Sequence, residues 1–521
     1  MKQTTATAES AKTNGHGTAK TIEVTNPATG ELVATVPALN PAGVTEVVER
    51  ARAAQPAWEA LGFEGRGRIL RRAQKWVLDN EERIAATIVA ETGKTYEDAL
   101  LAEVAYAASA FGFWAKNAPK YLADEKLRPS SPFVLGRKLV VRREPVGVVG
   151  VIGPWNYPLT NSFGDCIPAL AAGNATVLKP ATLTPTTSLL MLECLRECGL
   201  PEDVHQVAIG EGSSVGNALI DAVDFVMFTG STEIGIKVAE RAAKTLTPVG
   251  LELGGKDPMI VCADANVERA ANSAVFYSMQ NSGQTCISVE RVYVEEPIYD
   301  EFVGKVTEKV SALRQGVPGA RGIVDVGAIT SPPQMDLIDS HVRDAEEKGA
   351  RVLVGGRRGE GKGDFYEPTL IVDVDHSMEC MTEETFGPTL PVMKVKDVDE
   401  AVRMANDTDY GLGSAVFAGD AAEGERIARR IEAGHCNVND VHVNYSILGL
   451  PMGGWKNSGI GVRHGAQGIR RFCHTEALTI PRVPLAKSEM PWFPYSRRRR
   501  GIIRRTYRLL TARGLRNRLG L

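Results

Sequence analysis

Four short runs rich in β-branched and aromatic residues, Val146–Ile152, Ala175–Leu178, Val204–Ile209 and Phe225–Phe228, succeed one another with helical segments between them. Their spacing of about 20 to 30 residues is what crossover connections require, because parallel strands cannot be joined by a tight turn. The pattern predicts βαβ units in a helix-covered parallel sheet. A second series, with Met259–Val261, helical Ala265–Met279, Arg291–Val294, Val352–Val354 and Ala415–Phe417, predicts a second α/β domain. Ahead of both lie three amphipathic stretches, Val44–Ala60, Ile69–Glu91 and Tyr96–Tyr121, which read as scaffold helices. Phe133–Val141 holds two strand-like runs about Gly136, a hairpin candidate, and Gly355–Gly363 reads as a surface loop.

A chain of 521 residues, 43% hydrophobic and 24% charged, has the composition of two or three packed globular domains. The longest uncharged run, Pro145–Gly164, is interrupted by Pro154, Asn156, Pro158 and Asn161 and makes a poor membrane span. Eight scattered cysteines, without metal-like paired spacing, predict reduced thiols, no metal site and a cytoplasmic compartment. Residues 1–20, rich in Thr and Ala, read as a disordered lead-in with neither secretory nor transit character. The net charge of −3 conceals ten arginines and no acidic residue from Pro491 onward, which leaves −3 − 10 = −13 on residues 1–490. With Trp492, Phe493, Tyr495, Ile502, Ile503, Tyr507, Leu509 and Leu510 among those arginines, residues 491–521 suit an interfacial helix on an anionic membrane. A disordered solubilising tail is the alternative. Nucleic acid is disfavoured by the acidic body.

Candidate chemistry gathers around Cys286, in Ser282-Gly283-Gln284-Thr285-Cys286-Ile287-Ser288. Small neighbours leave its sulfur accessible, and a thiolate there would be a nucleophile. An ordinary buried thiol is the bland reading. Glu252, in Glu252-Leu253-Gly254-Gly255-Lys256, offers a separate carboxylate. Asn156, in Pro154-Trp155-Asn156-Tyr157-Pro158, follows the first strand of the parallel series, where open α/β sheets place ligands. Its amide could stabilise an oxyanion by roughly 3–4 kcal/mol, or simply hold a loop. Lys179 closes the second strand, where an ammonium group could meet a ribose or a phosphate. Gly230, Ser231 and Gly235 pass from strand to helix. Their spacing is not the dinucleotide fingerprint, yet free N–H groups at a helix start suit a phosphate.

Taken together these motifs, with Lys179-Pro180-Ala181, Glu383–Pro388 and Pro451–Gly459, resemble the aldehyde dehydrogenase superfamily in content and order over residues 22–482. The stretch Cys286–Arg291 is similar to bacterial succinate-semialdehyde dehydrogenase-like members. The resemblance implies an α/β fold with a Rossmann-type cofactor domain (21–131 and 145–254), a catalytic domain (255–473) and a small β oligomerisation element (132–144 and 474–484), followed by a basic tail, 485–521. It implies a homodimer or homotetramer. Cys286 would attack an aldehyde to give a thiohemiacetal, with the oxyanion held by Asn156 and the Cys286 N–H. Loss of hydride to NAD or NADP would leave a thioester, which a water activated by Glu252 would hydrolyse to the acid. Lys179 and Glu384 would hold the riboses and Ser231 the pyrophosphate, in a cofactor site including Trp155, Gly230, Gly235 and Phe386.

Two departures refine these expectations. NAD-preferring relatives commonly carry a glutamate where this chain has Thr182, so NADP should be accepted and even preferred. No arginine follows the Pro-Trp-Asn motif to take a substrate carboxylate, and Asp165 there would disfavour an anion. Aliphatic or aromatic aldehydes therefore rank above succinate semialdehyde. A non-catalytic nucleotide- or membrane-binding protein on the same fold, and a thioester-handling reductase or esterase, are the rivals.

Overall fold

The computed structural model describes residues 20–129, 136–319, 323–482, 487–488 and 492–519. Two compact units emerge. One comprises the chain up to Tyr121 together with Pro145–Phe472, and the other comprises Leu122–Glu144 with the chain from Cys473 onward.

The first unit contains two large open sheets and two small two-stranded ones. A six-stranded sheet has the order Gly459–Ile460, Val249–Glu252, Phe225–Thr229, Val148–Ile152, Ala175–Lys179, His205–Val207. All its pairings are parallel except that of Gly459–Ile460 with Val249–Glu252. Val148–Ile152 comes first in the chain yet lies in the middle, with later strands added on both sides. Its carboxyl end is therefore a topological switch point, where the diverging connections leave a crevice. The loops after Ile152, Lys179, Thr229 and Glu252 all open on this edge of the sheet.

The second sheet has seven strands, in the order Arg351–Val354, Thr369–Val372, Thr389–Val395, Arg291–Glu295, Pro258–Val261, Ala415–Phe417, Asn437–Val438. Burial on both faces explains its continuous apolar runs. Met259 and Val261 face one core with Val292 and Val294, while Ile260 and Tyr293 face the other. Thr369–Val372 and Thr389–Val395 are additional to the expected strands.

Two expected helices differ in detail. The stretch Ile69–Glu91 divides into Gly62–Asp79 and Glu81–Thr92, because Asn80 leaves the helical region (φ −115°, ψ 20°) and its side chain bonds back to the Trp76 carbonyl. Tyr96–Tyr121 contains a π-helical turn, Leu100–Val104. Such turns carry one extra residue and frequently mark functional sites.

In the second unit, Arg137–Pro145 pairs antiparallel with Glu125–Leu127 and lies between that strand and Cys473–Pro481. The first arm of the expected hairpin, Phe133–Leu135, lies outside the described residues, as do residues 1–19 of the lead-in. The tail forms a helix, Arg497–Thr511, capped by Ser496, whose hydroxyl accepts from the Arg499 N–H at 3.2 Å.

Candidate active site

A cavity of about 550 Å³ opens beside Cys286. Ala102, Ala105, Tyr106, Tyr157, Phe276, Tyr277, Ile287, Tyr445 and Leu448 supply the larger apolar part of its wall, and Asp440 is among its polar members. Neither lysine nor arginine lines it. His442, also in the wall, is held near a pKa of about 4 by burial and is neutral at physiological pH. The π-helical turn contributes Leu101 and Ala102, so this local irregularity shapes the pocket directly.

The loop bearing Cys286 is wound unusually tightly. Asn281, Ser282 and Gly283 all have positive φ, at 51°, 55° and 71°. Left-handed backbone at two consecutive non-glycine residues costs of order 1–3 kcal/mol each and needs support. Gln284 provides it, donating to the Asn281 carbonyl at 2.9 Å and accepting from the Thr330 N–H at 2.8 Å. Ser282 donates to the Gly327 carbonyl at 3.0 Å. A Cβ on Gly283 would overlap the Gly387 carbonyl oxygen. Gly283→Ala is therefore expected to lower the thermal midpoint and abolish activity, and calorimetry alongside turnover checks it.

Cys286 keeps part of its surface exposed, and its N–H has no acceptor among the described residues. Burial, then the charge of Glu384, push its thiol up to about 12. The resting sulfur is protonated. Asn156 is buried, and its Nδ2 donates to the Gln284 carbonyl at 2.8 Å, which leaves one amide hydrogen over. Its position is set by residues that no local motif reveals. Lys94 Nζ, fully buried, donates to the Asn156 carbonyl at 2.8 Å and to Glu103 at 2.6 Å. Glu103 in turn accepts from the Leu159 N–H at 2.7 Å.

Glu252 ends its strand in the six-stranded sheet, buried, and neither carboxylate oxygen has a hydrogen-bond partner among the described residues. Burial raises it to about 7, against the lowering influence of Arg463 and Arg471. A carboxyl group so placed titrates close to neutrality and has both oxygens available, the condition required of a general base. Its field reaches Cys286, whose thiol it helps to raise.

Asp165 corrects an expectation. Arg463 clasps its two oxygens at 3.1 and 2.6 Å and also reaches Asn161 at 3.2 Å and Thr229 at 2.8 Å, all buried. Its charge is countered by that pair and it does not line the cavity, so it sets up no repulsion of an anionic substrate.

The expected cofactor residues divide between two groups. Lys179 is buried, and its ammonium donates only to the Pro180 carbonyl, at 3.0 Å, among the described residues. Burial lowers it to about 8. Ser231 occupies the N-cap of Thr232–Ala242 without using its side chain to cap, leaving first-turn N–H groups open. An underbonded buried ammonium and an open helix start fit a dinucleotide. Gly230 donates its N–H to the Glu252 carbonyl at 3.1 Å, tying this turn to the general-base strand. Gly235 packs against Leu253, where a Cβ would overlap the leucine side chain, so its place is in helix–strand packing. Thr182 sits half-buried in the turn after Lys179.

The second group lies across Glu384 and Phe386. Glu384 accepts from the Gly255 N–H at 2.9 Å, and burial raises it to about 8. Phe386 meets Trp155 edge to face at 5.6 Å. Glu290, paired with Lys256 at 2.7 Å, accepts from the Thr385 and Phe386 N–H groups at 3.2 and 3.0 Å. That buried pair holds the loop. Lys256, Glu290, Lys94 and Glu103 are not legible as site residues, since the segments they hold, at Asn156, Leu159 and Thr385–Phe386, are distant in sequence.

Comparison with known proteins agrees with this geometry. Residues 14–478 match the family model described as "Aldehyde dehydrogenase family". The chain belongs to this family. It is an NAD(P)-dependent aldehyde dehydrogenase, an α/β protein with a Rossmann-type sheet, oxidising an aldehyde to a carboxylic acid. A Mycobacterium tuberculosis protein, provisionally named succinate-semialdehyde dehydrogenase (NADP(+)) 2, is 41% identical over 457 residues, 87% of this chain and 88% of the relative. A Methylomonas protein named 4,4'-diapolycopene aldehyde oxidase is 39% identical over 478 residues, 91% of this aldehyde dehydrogenase and 88% of that protein. A crystal structure described as an E. coli NADP dependent enzyme superposes with a TM-score of 0.85 at 34% identity, covering 89% of this chain and 95% of that one.

Proposed function

We propose that Cys286 is the nucleophile and Glu252 the hydrolytic base for a large apolar aldehyde, aliphatic or aromatic. The observation that carries this is the Cys286 cavity, walled mainly by aromatic and aliphatic side chains, with Asp440 and a few neutral polar groups in its lining and no lysine or arginine. Exposed apolar residues of its lining extend to the surface, with Leu101 63% and Phe276 51% exposed and Val443 at 49%. Sγ adds to the carbonyl carbon as the thiol proton leaves to water. The Cys286 N–H and the spare amide hydrogen of Asn156 bear on the oxygen as it gains charge. Lys179, Ser231, Glu384 and the Trp155–Phe386 pair would hold an oxidised nicotinamide cofactor, which when bound would accept the hydride lost from the thiohemiacetal carbon as the thioester forms. Glu252 then removes a proton from the water that attacks the thioester carbonyl, expelling the Cys286 sulfur and releasing the acid.

A panel of short aliphatic, long aliphatic, aromatic and carboxylated aldehydes, followed by absorbance of the reduced cofactor, tests the reading. Long aliphatic and aromatic members should show the highest kcat/KM. Succinate semialdehyde as the best substrate would contradict it. That second reading has support in the name of the mycobacterial relative and in the neutralised Asp165.

Thr182, half-buried in the turn after Lys179, supports use of NADP as well as NAD, since a neutral hydroxyl there does not repel a 2′-phosphate. Thr182→Glu is expected to raise the KM for NADP by about ten-fold or more, through like-charge repulsion, with little change for NAD. Parallel cofactor titrations check it.

The enzyme is read as homo-oligomeric, because the strand Cys473–Pro481 lies at a sheet edge and is largely exposed. All eight cysteines are free, which supports a reducing, cytoplasmic setting. Among the described residues no helix is long and apolar enough to cross a membrane. Peripheral attachment through residues 491–521 belongs to the same reading.

A further inference from the structure

The helix Arg497–Thr511 buries none of its residues and divides sharply by side-chain type. At about 100° per residue, Ile502, Ile503, Tyr507, Leu509 and Leu510 share one side, while Arg497, Arg498, Arg500, Arg504, Arg505 and Arg508 share the other. The remaining arginine of the helix, Arg499, falls on the apolar side, and it is spent locally. Its guanidinium donates to the Trp492 and Pro494 carbonyls at 3.1 Å each. That contact draws an aromatic arm against the helix start, where Phe493 and Tyr495 lie 4.6 Å apart with 77% and 74% of their surfaces exposed.

We infer that Trp492–Thr511 is a docking element for an anionic lipid surface, lying in the headgroup plane with its isoleucines, leucines and aromatic rings inserted and its arginines on lipid phosphates. The inference rests on the peripheral attachment proposed for the enzyme and gives it a partner and a face. Charge complementarity selects the surface, because the tail carries ten arginines and no acidic residue. The apolar arc selects lipid over nucleic acid. A polyanion such as DNA rewards the arginines alone, whereas a bilayer also removes the leucine and isoleucine side from water. A short, strongly basic amphipathic helix is held at the interface and does not span.

The test uses the full chain, sedimented with vesicles containing phosphatidylglycerol or made of phosphatidylcholine alone, alongside turnover of water-soluble benzaldehyde. The parent should sediment with the anionic vesicles, release at high salt, and stay in solution with the neutral ones. Ile503→Asp/Leu510→Asp keeps every arginine, and Arg504→Ala/Arg508→Ala keeps the apolar arc. Each should weaken sedimentation by about ten-fold or more with benzaldehyde turnover unchanged. Equal sedimentation of the aspartate variant and the parent would overturn the assignment of the face while leaving attachment intact. Failure of the parent to sediment with any vesicle would overturn attachment as well. Displacement of the vesicles by a DNA duplex would reassign the element to nucleic acid.

Discussion

Cys286→Ala should lower aldehyde oxidation by on the order of 10⁴-fold or more, since losing the attacking atom of a covalent route leaves only what binding and orientation supply. The fold should survive. Cys286 lies at the cavity wall, and the neighbouring backbone is held by Gln284, Ser282 and Thr330 rather than by the thiol. Steady-state turnover measured with cofactor binding and thermal melting separates the two effects. Normal melting and normal cofactor affinity with no turnover is the expected combination.

Glu252→Gln should leave acylation able to proceed and slow deacylation by about 10²–10⁴-fold. Glutamine is close in shape, and because the carboxylate oxygens have no partners among the described residues, the change breaks no hydrogen bond. The expected trace is a burst of reduced cofactor near one equivalent per site, followed by a slow phase. A glutamate works as a base only when ionised, so parent turnover should rise with pH through about 7 and then level. The glutamine variant should lose that rise. Parent-rate turnover by the variant would remove Glu252 from the role.

Much of the fold was legible because parallel strands impose a periodic cost on sequence. Val148–Ile152, Ala175–Lys179 and Phe225–Thr229 are buried on both faces, so they are apolar except at Thr176, Lys179 and Thr229, and their crossovers set the spacing. Thr389–Val395 was less visible, as Pro391 and Lys394 interrupt its β-branched run. The break at Asn80 escaped the helical periodicity because the apolar stripe continues across it, and one polar side chain decides the cap.

Within the site, the residues placed by sequence were those at strand ends, where topology alone brings Asn156, Lys179, Ser231 and Glu252 to one edge. The supporting groups were hidden for the opposite reason. Lys94 reaches Asn156 and Gln334 reaches Thr385 across long sequence separations, and nothing in their neighbourhoods marks either one. Asp165 misled for a related cause, since its meaning depends on Arg463, nearly three hundred positions later.

The covalent route through Cys286 is tested by intact-mass analysis of Glu252→Gln after acid quench of a single turnover with NADP and an apolar aldehyde. A mass gain equal to the aldehyde less two hydrogens is expected, mapping by peptide digestion to Cys286. No gain while reduced cofactor forms, or a gain at any other residue, would contradict it.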